Sequence, residues 1–395
     1  MNDDIAIAHK DYDTRGGGEV FCRRLAHAID APMYVGRRNQ ANEPDDAALD
    51  IHEIPLSSVD KWMIDRGGLT RTAAYALRWQ AAAEDLTEYD TIIMSGNEPL
   101  WYVPQDQQTV IAYTHSTPRF MYDLYNERMD FSGLMGRLAT LFNTAQRTVY
   151  ESNVNRPDLW VANSDLVARR IERYWNVPEE QIRTIYPPVD THNYNPDDAK
   201  TGEFYLHIGR LVDAKCVDEI VQAFNGHDAT LLIAGDGDER ARLEELAEDN
   251  IKFLGFVTEE RKQELYSRAK ALLYSPLNED FGMVPIEALA AGTPVIGVKD
   301  GFTQFQVQHG ENGLLYDRGA ADLRATVRDF ERDGVSWTEY EIAEWTRRWF
   351  GIQRFEREIR EAIEDAQQRS EVVPEWDHET PQPPGELEVN YAESD

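Results

Sequence analysis

Cysteine, lysine and long apolar runs are what this 395-residue sequence has little of. Its two cysteines, Cys22 and Cys216, stand far apart and outside any metal-ligand spacing, which excludes a disulfide framework and a zinc site and leaves both as candidate buried small hydrophobes. No apolar run approaches ~18 residues, so no membrane-spanning helix is expected. The acidic start MNDDIAIAHK lacks the basic and apolar regions of a signal peptide, and a cytoplasmic setting is the expectation. Positive charge is also scarce, with 40 Lys and Arg against 72 Asp and Glu for a net charge of −32, and lysines are few. That balance excludes nucleic acid as a partner, because a phosphate backbone needs a basic footprint. An acidic excess spread this evenly suits a solvated surface in high salt, and a halophilic cytoplasm is expected.

What is present is enough apolar material, 42% of residues, for two cores. Short apolar strands alternate with helical patterns, the βαβ rhythm of parallel sheets covered on both faces. Candidate strands run over 5–9, 91–95, 110–115 and 159–163. Tyr186-Pro187-Pro188-Val189 and the Asn-, Asp- and Pro-rich stretch to Gly202 then read as a break, after which strands recur at 204–208, 230–234, 251–254, 271–275 and 293–298. The expected organisation is an N-terminal α/β domain over 1–185, a linker over 186–202, a second doubly wound domain over 203–345, closing helices over 346–368 and an acidic, Pro-rich tail over 369–395 that reads as disordered.

The chemistry-bearing stretch is 278–294, NEDFGMVPIEALAAGTP. Pro285 suits a first helical position and Gly292 the residue after the last, bracketing a two-turn helix. Free N–H groups at its start can bind phosphate oxygens, Glu287 in its first turn can accept from paired sugar hydroxyls, and Glu279 in the preceding loop can face the same cavity. Taken singly, Glu279 is a surface acid and Glu287 a favourable first-turn charge. Upstream, 207–215 reads HIGRLVDAK, with Gly209 and Arg210 at a strand end and Lys215 following. Two fixed cations there can stabilise charge developing on a departing diphosphate, or they are ordinary surface cations. In the first domain, Gly16, Gly17 and Gly18 follow a strand, a spacing that is not the G-x-G-x-x-G of a dinucleotide site. His115 and Arg119 lie at another strand end, and Ser164 reads as a helix N-cap. Asp236 and Asp238 form an Asp-x-Asp pattern that elsewhere holds a divalent metal. Lys61 to Gln80 is locally basic and aromatic, as is Arg119 to Arg147; both suit packing on the first sheet or an anionic membrane surface.

Glu279 and Glu287, eight apart with Phe281-Gly282 between them, form an E-x7-E signature, and here the sequence resembles glycosyltransferase family 4. The resemblance covers about 4–368 and implies the GT-B fold: two facing Rossmann-like doubly wound domains with a cleft between them, the last helix crossing back to the first domain. It implies a retaining, metal-independent transferase with no cofactor, taking a hexose from a nucleotide diphosphate sugar to a glycan or lipid-linked acceptor. GDP-mannose is the first expectation and UDP-glucose the second, with membrane contact through the N-terminal domain. Glu287 would hold the ribose, and Arg210 and Lys215 the diphosphate. Glu279 and the backbone of Phe281, Gly282, Met283 and Val284 would meet the sugar, with Gly16, Gly17, Gly18 and His115 facing from the first domain. Asp236 and Asp238 would belong to a glycine-rich loop with no metal role. A nucleotide-sugar 2-epimerase of the same fold and a non-catalytic sugar-nucleotide binder are the alternatives.

Overall fold

The computed structural model describes residues 4–371 except 14–15, 40–48, 67, 123–139, 142, 145–146, 149, 153, 155, 195–201 and 203. The tail expected at 369–395 lies outside the described residues from 372 onward, as do residues 195–201 of the linker and much of the Arg119 to Arg147 segment.

The first domain is a seven-stranded parallel sheet built from β1 (Ile5–His9), β2 (Met33–Val35), β3 (Ile51–Glu53), β4 (Thr91–Ser95), β5 (Thr109–Thr114), β6 (Leu159–Ala162) and β7 (Ile182–Thr184), in the spatial order β3-β2-β1-β4-β5-β6-β7. The alternation of side chains along a strand divides its core in two. Ile5 and Ile7 of β1 pack with Phe21, Leu25 and Phe355 on one face, whereas Ala6 and Ala8 pack with Tyr75, Trp79 and Trp160 on the other. Of the aromatic segment at 61–80, Tyr75 and Trp79 are therefore core residues, while Trp62 stays 55% exposed under the Arg66 guanidinium, 4.8 Å above its ring.

The second domain repeats the arrangement with β8 (Phe204–Ile208), β9 (Leu231–Ala234), β10 (Ile251–Gly255), β11 (Ala269–Tyr274), β12 (Val295–Val298) and β13 (Gly313–Tyr316), ordered β10-β9-β8-β11-β12-β13. In each sheet the order reverses beside the first strand, between β1 and β4 and between β8 and β11. Outside the carboxyl ends of such a pair is where an open α/β sheet leaves a crevice for ligands. No helix among the described residues is long and apolar enough to cross a membrane.

Two chain crossings join the domains side by side. Val189, at the start of the expected linker, is fully buried, pairs with Gly351 and donates its N–H to the Phe350 carbonyl at 2.7 Å. The linker thus begins as an ordered strand partner, because Pro187 and Pro188 hold it extended. The Ile352–Glu371 helix then returns to the first domain, placing Phe355, Ile359 and Ile363 against Phe21 and Tyr113. Burying each of these side chains contributes roughly 1.5–3 kcal/mol. Cys22 is buried as expected, but Cys216 is only partly so, since it turns the chain at φ 46° ahead of the Val217–Phe224 helix; both thiols are free.

Candidate active site

Strand ends of both sheets supply the site. Lys10 follows β1, Gly96 follows β4, His115 follows β5 and Asn163 follows β6, while Gly209 and Arg210 follow β8 and Tyr274 ends β11. Lys10, Gly96, Gly209, Arg210 and Tyr274 line one cleft of about 580 Å3 between the domains, so the two switch points open onto each other. The Gly17–Ile29 helix starts at its edge, and a Cβ on Gly17 would lie 3.9 Å from Met283 Cγ on the opposing wall.

On the second-domain wall, the loop carrying Arg210 is set by backbone packing. Gly235 has φ 135° and runs so close to it that a Cβ would stand 1.8 Å from the Gly209 carbonyl oxygen. Asp236 sits in this turn and pairs with Arg240 at 3.1 Å, so the Asp-x-Asp stretch is part of an exposed loop. Arg210 is exposed to the cleft, and a short turn over Asp213–Lys215 brings Lys215 into an ion pair with Glu279. The Tyr274 hydroxyl also bonds Glu279, and burial together with that carboxylate holds the phenol well above its usual range.

The helix following Glu279 runs Met283–Ala290, with Gly282 at φ 82° as its N-cap. The expected start at Pro285 is corrected to Met283: Gly282 supplies the positive φ of the entry turn, and Pro285 is tolerated because first-turn N–H groups have no helical partner. Glu287 therefore lies in the second turn and not the first. Its carboxylate accepts from Lys262 Nζ and Tyr266 Oη, both at 3.0 Å, and is not among the groups lining the cleft. Phe281 turns its ring into the core, stacked on Phe302 with centroids 5.4 Å apart, and offers the cleft mainly its backbone.

On the first-domain wall, Gly17 and Gly18 line the cleft, whereas Gly16 caps the helix and donates its N–H to Glu19 at 3.1 Å. His115 bonds Ser95 Oγ through Nε2 at 2.9 Å, and the same hydroxyl lies 3.0 Å from His9 Nδ1. Burial, helped by Lys10, pushes His115 down to about 3, so it works as a neutral imidazole. Arg119 donates to the Asn278 carbonyl at 2.9 Å, and its charge also acts on the neighbouring Asp280 carboxylate. Ser164 caps its helix through Val167 N–H and also donates to the Asp280 carbonyl at 2.6 Å. Lys10, Asn97, Asn163 and Asp280 are cleft residues that sequence reasoning missed. Lys10 carried a usable signal, being a lysine directly after an apolar strand in a chain poor in lysine.

Beneath Gly209, the fully enclosed His207 is held down to about 4 by burial. An unfolded histidine protonates near pH 6.5, so between 6.5 and 4 the unfolded chain holds the extra proton and stability falls as pH drops. A His207→Gln variant lacks that dependence. Its stability deficit relative to wild type should shrink by about 2 kcal/mol between pH 7 and 5 in urea unfolding. A deficit constant with pH would contradict the neutral, enclosed imidazole.

Two family models match the chain, one described as glycosyl transferases group 1 over residues 192–344 and one as glycosyltransferase family 4 over residues 15–193. An uncharacterised glycosyltransferase of Methanocaldococcus jannaschii is 30% identical over 166 residues, 35% of this chain and 42% of that protein. The N-acetyl-alpha-D-glucosaminyl L-malate synthase of Bacillus anthracis is 31% identical over 161 residues, 36% of this chain and 42% of that one. The matched stretch thus spans less than half the length of either relative. Among solved structures, sucrose-phosphate synthase from Thermosynechococcus elongatus superposes with a TM-score of 0.71 at 19% identity, covering 91% of this chain and 98% of that one. Anabaena HepE in complex with UDP and glucose gives 0.65 at 19% identity, covering 91% and 99%. With a glycosyltransferase model matching each half and the fold shared across these neighbours, the chain belongs to the family 4-type glycosyltransferases of GT-B fold.

Proposed function

We propose that this protein is a retaining, metal-independent hexosyltransferase that takes its sugar from a nucleoside diphosphate donor. One observation carries the reading: two opposed switch-point crevices share a single cleft, with Arg210, Lys215 and Glu279 on one wall and Lys10, the glycine turn and neutral His115 on the other. Breaking a glycosyl phosphate bond leaves negative charge on the departing diphosphate, and prearranged cations in an enclosed cleft stabilise that charge as it forms. An incoming diphosphate competes with Glu279 for the Lys215 ammonium. Released, Glu279 becomes an acceptor for hydroxyls of the donor sugar, with the N–H groups at the start of the Met283–Ala290 helix beside it. Neutral His115 orients a hydroxyl without adding charge. The acceptor oxygen attacks from the face the diphosphate leaves, and its proton passes to that leaving group, so no separate base is needed. Glu287 reaches the nucleotide ribose once Lys262 yields one of its bonds.

UDP-glucose and GDP-mannose are the donors to test, and a glycan or lipid-linked glycan is the acceptor. Exposed Val59 and Trp62, flanked by Lys61 and Arg66, suit the surface of an anionic membrane that would present a lipid-linked acceptor. In molar salt, the right donor should raise the melting temperature, since a ligand at 100 times its Kd adds about 2.7 kcal/mol. A panel of nucleotide sugars that leaves melting unchanged would overturn the proposal.

A further inference from the structure

The loop bearing Glu279 is gripped by the opposite domain through both of its neighbours in sequence. Arg170, on the Asp165–Trp175 helix of the first domain and only 6% exposed, pairs with the Asp280 carboxylate and donates to Asn278 Oδ1 at 2.7 Å. Ser164, fully buried at the head of that helix, donates to the Asp280 carbonyl at 2.6 Å. Arg119 donates to the Asn278 carbonyl at 2.9 Å. From its own domain the same loop is held by Asp300, which accepts the Asn278 N–H at 3.0 Å, and by Arg318 on the Pro276 carbonyl at 2.8 Å. Asn278 is thus held from both domains and Asp280 from the first, while the Glu279 carbonyl accepts the Phe302 N–H at 2.8 Å and its carboxylate is left facing the cleft and Lys215.

We infer that Arg170 is a positioning residue: with Ser164 it latches the first domain onto residues 278–280 and thereby couples closure of the cleft to the aim of the Glu279 carboxylate. The inference rests on the proposed transferase reading for its activity arm, but its structural arm does not. Arg210 and Lys215 both belong to the second-domain wall, so the cations expected to hold a diphosphate keep their places when the latch is removed. Removing Arg170 leaves Asp280, already pushed up by burial, without its main counterion, and the loop gains its freedom by turning that carboxylate to water.

The test uses the full chain with Arg170→Ala, Arg170→Lys and Ser164→Ala, and UDP and GDP as probes. Small-angle X-ray scattering with each diphosphate should show Arg170→Ala to be more open than wild type. The affinity of the better-binding diphosphate should fall far less than kcat, because Arg210 and Lys215 stay on the second-domain wall and only the first-domain groups recede. Turnover of the matching sugar donor should fall by roughly ten- to a hundredfold in kcat, the scale set by misplacing a reacting group by about 1 Å. Arg170→Lys should recover part of that loss, since it restores one bond to Asp280 but cannot also reach Asn278. Ser164→Ala should show the same pattern more weakly. Wild-type scattering and kcat in Arg170→Ala would overturn the latch, and so would diphosphate affinity lost in parallel with kcat, which marks a purely structural role. If wild type turns over no nucleotide sugar, the transferase reading fails by itself, and the scattering comparison still decides whether the latch exists.

Discussion

Arg210→Ala is expected to lower sugar-donor turnover by about 10²- to 10³-fold while leaving the fold intact. Arg210 is exposed in the cleft, so removing it leaves no buried group unpaired. In the proposed mechanism it removes a planar fork from the place where diphosphate charge grows as the glycosyl bond breaks, and such an interaction is stronger in the transition state than in the bound donor. The loss should therefore appear mainly in kcat. Arg210→Lys keeps the charge but not the paired geometry and should recover only part of it. Lys215→Ala should give a loss of similar size, with the added penalty that Glu279 loses its partner and repels the incoming phosphate. Combining the two should cost less than the product of the separate losses, because both act on the same charge. Diphosphate release from UDP-glucose and GDP-mannose, with melting temperature as a control, measures this. An Arg210→Ala protein within about threefold of wild type would remove the arginine from the mechanism.

Gly235→Ala is expected to destabilise the second domain by more than about 4 kcal/mol, an exceptional amount for one methyl group at a residue outside the core. The cause is distance: the new Cβ would stand 1.8 Å from the Gly209 carbonyl oxygen, on a backbone at φ 135° that side chains rarely adopt. Neither chain can retreat, since Gly209 N–H is bonded to the Ala234 carbonyl at 3.0 Å and Gly235 N–H to the Gly255 carbonyl at 2.8 Å. If the domain folds at all, it must displace the loop bearing Arg210, and activity should fall with it. Thermal unfolding is the measurement, and a variant melting within a few degrees of wild type would show that the two loops are less tightly apposed. A core substitution such as Leu206→Ala calibrates the scale at about 2–5 kcal/mol.

Sequence patterns revealed the parts governed by short-range rules. Strands such as β1, β4 and β8 are five-residue apolar runs buried on both faces, and their positions were readable to the residue. The strands β2, β3 and β7, three residues each, and the four-residue β13 escaped notice because so short a run has no period to detect. That Gly209-Arg210, Lys215 and Glu279 share one site was legible only through the family resemblance, because two motifs carry them and Lys215 and Glu279 stand 64 residues apart. Glu287 was placed one turn too early because Pro285 is a stronger start signal than a glycine whose positive φ only the fold reveals. Arg170, Ser164 and Asp280 meet across more than a hundred residues, and no local pattern announces such a meeting.

The returning Ile352–Glu371 helix also sets an order of events during synthesis. Tyr113 and Ile7, with Phe21 of the Gly17–Ile29 helix beside them, form an apolar face that residues 355–366 help to cover, whereas β8 to β13 find their partners within the intervening stretch. On a ribosome the later-made half can finish its sheet while the earlier-made half still waits with an apolar surface bare. The domain begun first is completed last, and that interval is when the nascent chain most needs a chaperone to shield it.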